Sequence, residues 1–410
     1  MKGESNCIVK GEKMLKETVL DVLDKPPAQS AQEEMSNTVL SKVRDNECKD
    51  LEFSSEKWED GNWQFANRIK TIAELASLLN LDASDLGKYN ELIKTFHYSI
   101  TPYYLSLIDW SDTNDPIRKQ CVPDLKEIDF NFVGCTDPLD EEDDMQVPGL
   151  VHRYPDRVLA IITNICAMYC RHCTRKRKWT DSQRHKTKAE LQNMIEYIKR
   201  ASNVREVIVS GGDPLTVNLS LLDWFLGELR KISNVEVIRI GTRLPVVLPM
   251  GVTDAMVRML ERHRPLWVNT QFNHPREITA DAAAACDRFL KAGIPVSNQS
   301  VLLKGINDSV DTMKALCYGL QRIMVRPYYL FHCDPVIGAE HFRTSIWKGI
   351  EIMEELRGHI GGLCVPTYVV DAPEGGGKIP LQPFYLLSMT EKEVLLRNYE
   401  GKLIKYFNPS

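Results

Sequence analysis

Three cysteines crowd into one short stretch: Cys166, Cys170 and Cys173 stand at C-x3-C-x2-C spacing. Thiolates are the preferred ligands of iron–sulfur clusters. Three of them on one tight loop can hold three irons of a 4Fe-4S cube. The fourth iron is then open to an amine and a carboxylate. Zinc competes for the same ligand type, but a structural zinc site wants four ligands. His172, wedged between two of the cysteines, is awkward as the fourth. Without metal the trio would be an oxidation liability. The other cysteines (Cys7, Cys48, Cys121, Cys135, Cys286, Cys317, Cys333, Cys364) stand alone and read as small buried hydrophobes or surface thiols. A second reactive candidate is Lys378, which closes Asp371-Ala-Pro-Glu-Gly-Gly-Gly-Lys378. A phosphate-binding Walker loop needs a different glycine spacing and a Ser or Thr after the lysine. Lys378 on a flexible glycine hinge suits a Schiff base with an aldehyde cofactor such as pyridoxal phosphate. The plainer alternative is a solvated lysine on a surface loop. Arg153 and Arg157, in His152-Arg-Tyr-Pro-Asp-Arg157, can clamp a phosphate or form an exposed basic turn.

These residues need a frame to meet. Apolar β-rich runs fall at Val158–Thr163, Val204–Ser210, Val235–Gly241, Leu266–Gln271, Ile294–Leu302 and Met324–Phe331. Helical patterns alternate with them at Ala189–Arg200, Leu221–Ile232, Thr253–Arg262, Ala280–Ala292 and Val310–Arg322. The rhythm predicts successive βα units around a parallel sheet. A full eight-unit barrel takes about 250 residues, more than this stretch offers, so the expected fold is α/β with a partial (β/α)6 barrel. The cysteine loop then leaves the C-terminal end of the first strand, where such sheets bind ligands. Around this core (148–345) we expect a variable, poorly ordered arm (1–57), a helical N-terminal region (58–147) and a C-terminal extension that carries Lys378 (346–410). Helices are expected at Ile69–Leu79 and Ala83–Thr95, and Asp137–Asp144 reads as an acidic linker. The extension should hold a helix (Ile350–Arg357), a strand (Pro366–Val370), the glycine-rich loop, and a hairpin of Val394–Arg397 and Leu403–Tyr406 turned at Glu400-Gly401.

The 410 residues are 43% hydrophobic and 26% charged, with a net charge of −5. That composition excludes a disordered or fibrous chain and argues against bulk attraction to nucleic acid or to an anionic membrane. The first residues lack the apolar core of a secretion signal. With thiol-rich chemistry, this predicts a cytoplasmic protein.

In register with this frame, C-x3-C-x2-C at the end of the first strand resembles the radical S-adenosylmethionine superfamily. Ser210-Gly-Gly-Asp213, after the second strand, resembles that superfamily's glycine motif. HRYPDR, CxxxCRHCTR, SGGD, NQSVL (298–302), RPYY (326–329), EHFRT (340–344) and DAPxGGGK occur in that order. Together they resemble the lysine 2,3-aminomutase family, from about Trp58 to Tyr406. The resemblance implies an isomerase that moves an amino group between C2 and C3 of L-lysine, giving L-β-lysine. It implies a 4Fe-4S cluster on Cys166, Cys170 and Cys173, with S-adenosylmethionine at its open iron and against Gly211, Gly212 and Gln299. It also implies pyridoxal phosphate on Lys378, its phosphate held by Arg153 and Arg157. Arg175 would pair with the substrate carboxylate, whereas Lys176–Lys178 read as a solvated face. Asp334 and Asp371 match the pair that grips the ε-ammonium of lysine, and glutamate-specific relatives carry lysine and asparagine there. Expected partners are an electron donor such as flavodoxin or ferredoxin and further copies of the chain, as a homodimer or homotetramer. The pocket should be closed to water and oxygen.

The sequence departs from the family pattern in places. It shows no cysteine-rich zinc-binding tail, and Ser309 stands where a partner cysteine would lie, so zinc is not expected. Glu374 replaces a glycine usual in the loop before Lys378. The competing readings are a 2,3-aminomutase of arginine or another amino acid, a radical enzyme without pyridoxal phosphate (for example one that modifies RNA), a relative that isomerises lysine for a translation factor, and a zinc-bound interaction module.

Overall fold

The structure, a computed structural model, describes residues 55–71, 74, 76, 79, 83–129, 134–179 and 181–409. The expected arm 1–57, Cys7, Cys48 and much of the expected helix Ile69–Leu79 lie outside the described residues. Ile69 itself is described, and it makes an antiparallel bridge with Ile100 rather than starting a helix. The second expected helix is present at Ala83–Thr95.

Ten strands form one sheet in sequence order. They are β1 (Met145–Val147), β2 (Leu150–Tyr154), β3 (Arg157–Ile161), β4 (Glu206–Ser210), β5 (Val237–Gly241), β6 (Leu266–Thr270), β7 (Val296–Leu302), β8 (Arg326–His332), β9 (Thr367–Ala372) and β10 (Gly377–Leu381). The six βα strands β3 to β8 run parallel, as expected, and β9 continues the parallel run beside β8. Two antiparallel pairings finish the edges: β2 and β1 at one end, β10 at the other. The sheet curls into a partial barrel whose edge strands β1 and β10 do not pair.

Helices Lys188–Arg200, Leu219–Arg230, Asp254–Glu261, Ala280–Lys291, Val310–Arg322 and Ile346–Leu356 cover the outside. Each begins where the sequence offers a capping side chain: Thr187, Asn218, Thr253, Thr279, Ser309 and Ser345 accept a hydrogen bond from a first-turn backbone N–H. Such a cap is worth about 1 kcal/mol. Thr187 and Glu190 complete a reciprocal capping box.

Strand periodicity divides the work. Val207, Val209, Ile238, Ile240 and Leu330 are fully buried under the helices. Their neighbours Ile208, Ser210, Val237, Arg239, Tyr329 and Phe331 point into the barrel and line a cavity. Adjacent residues on a strand face opposite ways, so each strand contributes both core and site.

The C-terminal hairpin forms between β12 (Glu393–Arg397) and β13 (Leu403–Phe407), and β11 (Leu386–Met389), not expected from the sequence, makes it a three-stranded sheet. Every residue of β11 is exposed, so it lacks the alternation that marks a half-buried strand. β1 and β2 were also unexpected; the first is three residues long and follows the acidic run directly.

Candidate active site

The cysteine loop leaves the C-terminal end of β3 and is braced from β4. A Cβ on Gly211 would lie 2.3 Å from the Thr163 carbonyl oxygen, and one on Gly212 would lie 2.4 Å from that of Ile165. Gly211 also has φ +144°, a region that L side chains rarely adopt. These glycines let the chain's own backbone close against the segment that enters the loop, and the Gly212 amide donates to Thr163 O at 2.6 Å. Asp213 is buried and accepts from Thr242 Oγ1 (2.7 Å) and from the amides of Arg243 (2.8 Å) and Leu215 (3.1 Å). It ties the β4 loop to the β5 loop.

The three thiols are free and line one cavity. Burial pushes the Cys166 thiol well above its ordinary range, and Cys173, Asp213 and Cys170 push it further. Burial and Cys170 raise Cys173 as well. Burial thus favours the neutral thiols, and holding all three as thiolates would call for compensating positive charge, which irons supply. Among the described residues no three His, Cys, Asp or Glu side chains converge on one ion. A cube asks for the opposite arrangement, one thiolate per iron.

Arg171 is completely buried and forks onto Glu127, at 2.9 and 2.7 Å. Lys176 reaches the same carboxylate at 2.8 Å and Gly338 O at 2.6 Å. This corrects the reading of Lys176–Lys178 as a solvated face. Lys176 is 2% exposed, and burial lowers its pKa to about 8 against the pull of Glu127. Arg177 pairs with Asp137, Glu141 and Glu142, and Lys178 pairs with Glu142. The acidic run 137–144 is therefore not a loose linker: its charges match the basic run after the cysteines.

Glu141 holds Arg175 at Nε (3.0 Å) and Nη2 (2.6 Å). Burial opposes the charge on Glu141, but the Arg175 and Arg177 guanidiniums hold its carboxyl at about 2. The Nη1 edge of Arg175 reaches Gly211 O at 3.2 Å. Arg153, on β2 rather than in a loop before the first strand, donates from Nε to Asp144 at 2.6 Å and from Nη2 to Leu139 O. Arg157 begins β3, pairs with Asp156 at 2.7 Å and stacks over the Tyr154 ring.

Lys378 sits on β10, not on a flexible hinge. The turn is confined to 373–376: Gly376 N donates to Pro373 O, and Glu374 takes φ 56°. Lys378 lies directly opposite Asp371 across the β9–β10 ladder, and their side chains pair at 3.0 Å. Its backbone N–H donates to the Tyr154 hydroxyl at 3.0 Å. Asp334 follows β8; burial first, and then the charge of Asp371, raise its carboxyl to about 7, against the pull of Lys378 and Arg343.

One cavity of about 960 Å³ collects every site residue singled out from the sequence. Arg153, Arg157, Cys166, Cys170, Cys173, Arg175, Gly211, Gly212, Gln299, Asp334, Asp371 and Lys378 all line it. The volume is at the upper end of ligand pockets, about 300–1,000 Å³, and so has room for more than one bound molecule. Two buried polar atoms on its wall, Thr270 Oγ1 and His172 Nδ1, have no hydrogen-bond partner among the described residues. Buried donors and acceptors are seldom left so, which fits a wall that hydrogen-bonds a ligand. Nothing in the sequence assigned a role to Glu127, Arg171 or Arg243, and Glu141 read only as part of an acidic run. Each becomes meaningful through a partner more than 30 positions away.

A partial parallel barrel with a three-cysteine loop after its first βα strand and a glycine pair after its second has the build of the radical S-adenosylmethionine class, and residues 160–316 match the family model of that superfamily. Residues 353–410 match the model described as lysine-2,3-aminomutase. The chain is 49% identical over 356 residues to L-lysine 2,3-aminomutase of Clostridium subterminale, covering 87% of this chain and 86% of that one. To the L-lysine 2,3-aminomutase of Bacillus subtilis it is 46% identical over 354 residues, covering 86% and 75%. Glutamate 2,3-aminomutase of Clostridioides difficile is 42% identical over 355 residues, covering 87% and 84%. The chain belongs to the lysine 2,3-aminomutase family.

Proposed function

We propose that this chain interconverts L-lysine and L-β-lysine by migration of the amino group between C2 and C3. The observation that carries the reading is one cavity with three thiols on one wall and, on another, Lys378 beside the carboxylates of Asp334 and Asp371. Cys166, Cys170 and Cys173 would hold the 4Fe-4S cluster, with S-adenosylmethionine against Gly211, Gly212 and Gln299. Lys378 would hold pyridoxal phosphate, and Arg153 and Arg157 would bind its phosphate. When bound, the cluster and S-adenosylmethionine supply a carbon radical, and pyridoxal phosphate supplies the conjugated carbonyl that carries the migrating nitrogen.

The chain's own groups then act by charge and position. Arg175, anchored by Glu141, presents its remaining N–H groups to the substrate carboxylate. Asp334 and Asp371 receive the ε-ammonium, whose three donors need more than one acceptor. A carboxylate substrate would meet repulsion at that end, which favours lysine over glutamate. A guanidinium also suits two carboxylates, so arginine is the second substrate to compare.

Supply of electrons by a flavodoxin- or ferredoxin-like donor and a cytoplasmic location complete the reading, with a division into 1–57, 58–147, 148–345 and 346–410. The last segment lends β9 and β10 to the barrel sheet. No helix among the described residues is long and apolar enough to cross a membrane. A homodimer or homotetramer is supported by exposed Leu386, Met389, Leu403, Tyr406 and Phe407 on the C-terminal sheet, a patch of the kind that marks interfaces. The deciding assay uses anaerobically reconstituted, reduced protein with lysine, arginine or glutamate. β-Lysine should form fastest; preferential conversion of either other amino acid, or none, overturns the assignment.

A further inference from the structure

Arg243, which follows β5, has no role in the reading so far, yet its side chain reaches the cysteine loop. It is 7% exposed. Its Nη1 donates to Cys170 Sγ at 2.8 Å. Its Nη2 donates to Glu277 Oε1 at 2.7 Å and Gln120 Oε1 at 2.5 Å, and its Nε donates to Gln271 O at 3.1 Å. Its backbone N–H is held by Asp213 at 2.8 Å. Glu277 is fully buried and is itself fixed by Tyr104 Oη at 2.7 Å and by the amides of Asn273 and His274. The guanidinium is thus clamped on every side but one, and that side faces a single sulfur. Among the described residues no other guanidinium donates to a cysteine sulfur; Arg68 reaches Cys166 only through its carbonyl oxygen.

Resting on the assignment of Cys166, Cys170 and Cys173 as cluster ligands, we propose that Arg243 sets the reduction potential of the cluster by donating a charge-assisted hydrogen bond to the Cys170 thiolate. Reduction adds one electron, taken from a low-potential donor, to the cluster and makes it one unit more negative. A fixed cation on a ligand sulfur stabilises the added charge and raises the potential, since hydrogen bonds to the sulfurs and nearby charge are what tune such clusters. Because the donor touches one thiolate of three, it also polarises the cluster toward the iron held by Cys170. Clamping the arginine through Glu277 and Gln120 removes the reorganisation a mobile cation would need at each electron transfer.

The test is a dithionite-based potentiometric titration of reconstituted holoenzyme, followed by electron paramagnetic resonance, on the wild type, Arg243→Lys and Arg243→Gln. At a fixed solution potential the ratio of reduced to oxidised cluster should fall at least tenfold in Arg243→Gln, a shift of about 59 mV for one electron, and less in Arg243→Lys. Midpoints equal to wild type in variants with full iron and sulfide overturn the proposal. Should the variants fail to fold or to hold iron, the wild type decides. Protein labelled with 15N in its arginine guanidiniums should show a 15N hyperfine coupling to the reduced cluster, and its absence overturns the proposal. Wild-type protein that takes up no iron and sulfide refutes instead the cluster assignment beneath it.

Discussion

The two walls of the cavity are built on different principles. Around the cysteine loop, charge is buried and interlocked: Arg171 and Glu127 are wholly inaccessible, and Lys176 adds a third charge to the same carboxylate. Around Lys378 the groups are few and sit at the edge of the sheet. The Lys378 side chain is 34% exposed, its partner Asp371 lies on the neighbouring strand, and β10 pairs on one side alone. A buried ion network that loses one member leaves the others uncompensated, at a cost of about 3–5 kcal/mol. The Lys378–Asp371 contact is a single pair with one partly exposed member rather than a network, so less depends on it. The thiol wall therefore belongs to the fold, while the lysine wall hangs on one contact at the sheet edge.

Substitutions can break that contrast. Lys378→Ala should abolish turnover and borohydride-fixable pyridoxal absorbance while leaving the melting temperature and iron content near wild type. An unfolded variant would show that the lysine wall is structural after all. Glu127→Gln should do the reverse, lowering stability by about 3–5 kcal/mol and depleting iron, as read by thermal unfolding and metal analysis. Asp334→Lys combined with Asp371→Asn should cut kcat/KM for lysine at least about a hundredfold, some 2.7 kcal/mol of transition-state stabilisation. Unchanged lysine kinetics would falsify the ammonium-binding role.

A fourth test uses pH. Asp334 is raised to about 7 when folded, against about 3.9 for an ordinary aspartate. The folded state thus holds a proton that the unfolded state releases. Its contribution to stability is complete below about pH 4 and is lost as pH climbs through 7. Lysine binding asks for the ionised form, so lysine affinity should improve about fivefold from pH 6 to 7, less than about twofold more by pH 8, and then level off. Asp334→Asn should flatten both slopes; a slope that survives belongs to another group. The smallest effect is expected at the turn. Glu374 sits at φ 56°, which costs a non-glycine residue on the order of 1 kcal/mol. Glu374→Gly should raise stability by no more than that, and only if the added chain freedom does not cancel it.

Legibility in the sequence followed the same division. Cys166, Cys170 and Cys173 were readable because the candidate ligands are local: all three fall in one short loop. The barrel strands were readable because βα alternation repeats. Glu127 and Arg243 were not, since a lone charge carries no mark of the distant partner that gives it meaning. The acidic run 137–144 looked like a linker because its counter-charges, Arg175, Arg177 and Lys178, lie in another stretch of chain. Lys378 was singled out but placed on a loop, because Gly375 and Gly376 mask a strand that begins one residue later.

The unclosed seam of the barrel has a consequence for Lys378. β1 and β10 end the sheet without meeting, and the Tyr154 hydroxyl reaches across from β2 to the Lys378 amide. The one hydrogen bond at Tyr154 spans the gap between the two ends of the sheet, so the position of Lys378 at that edge depends on both of them.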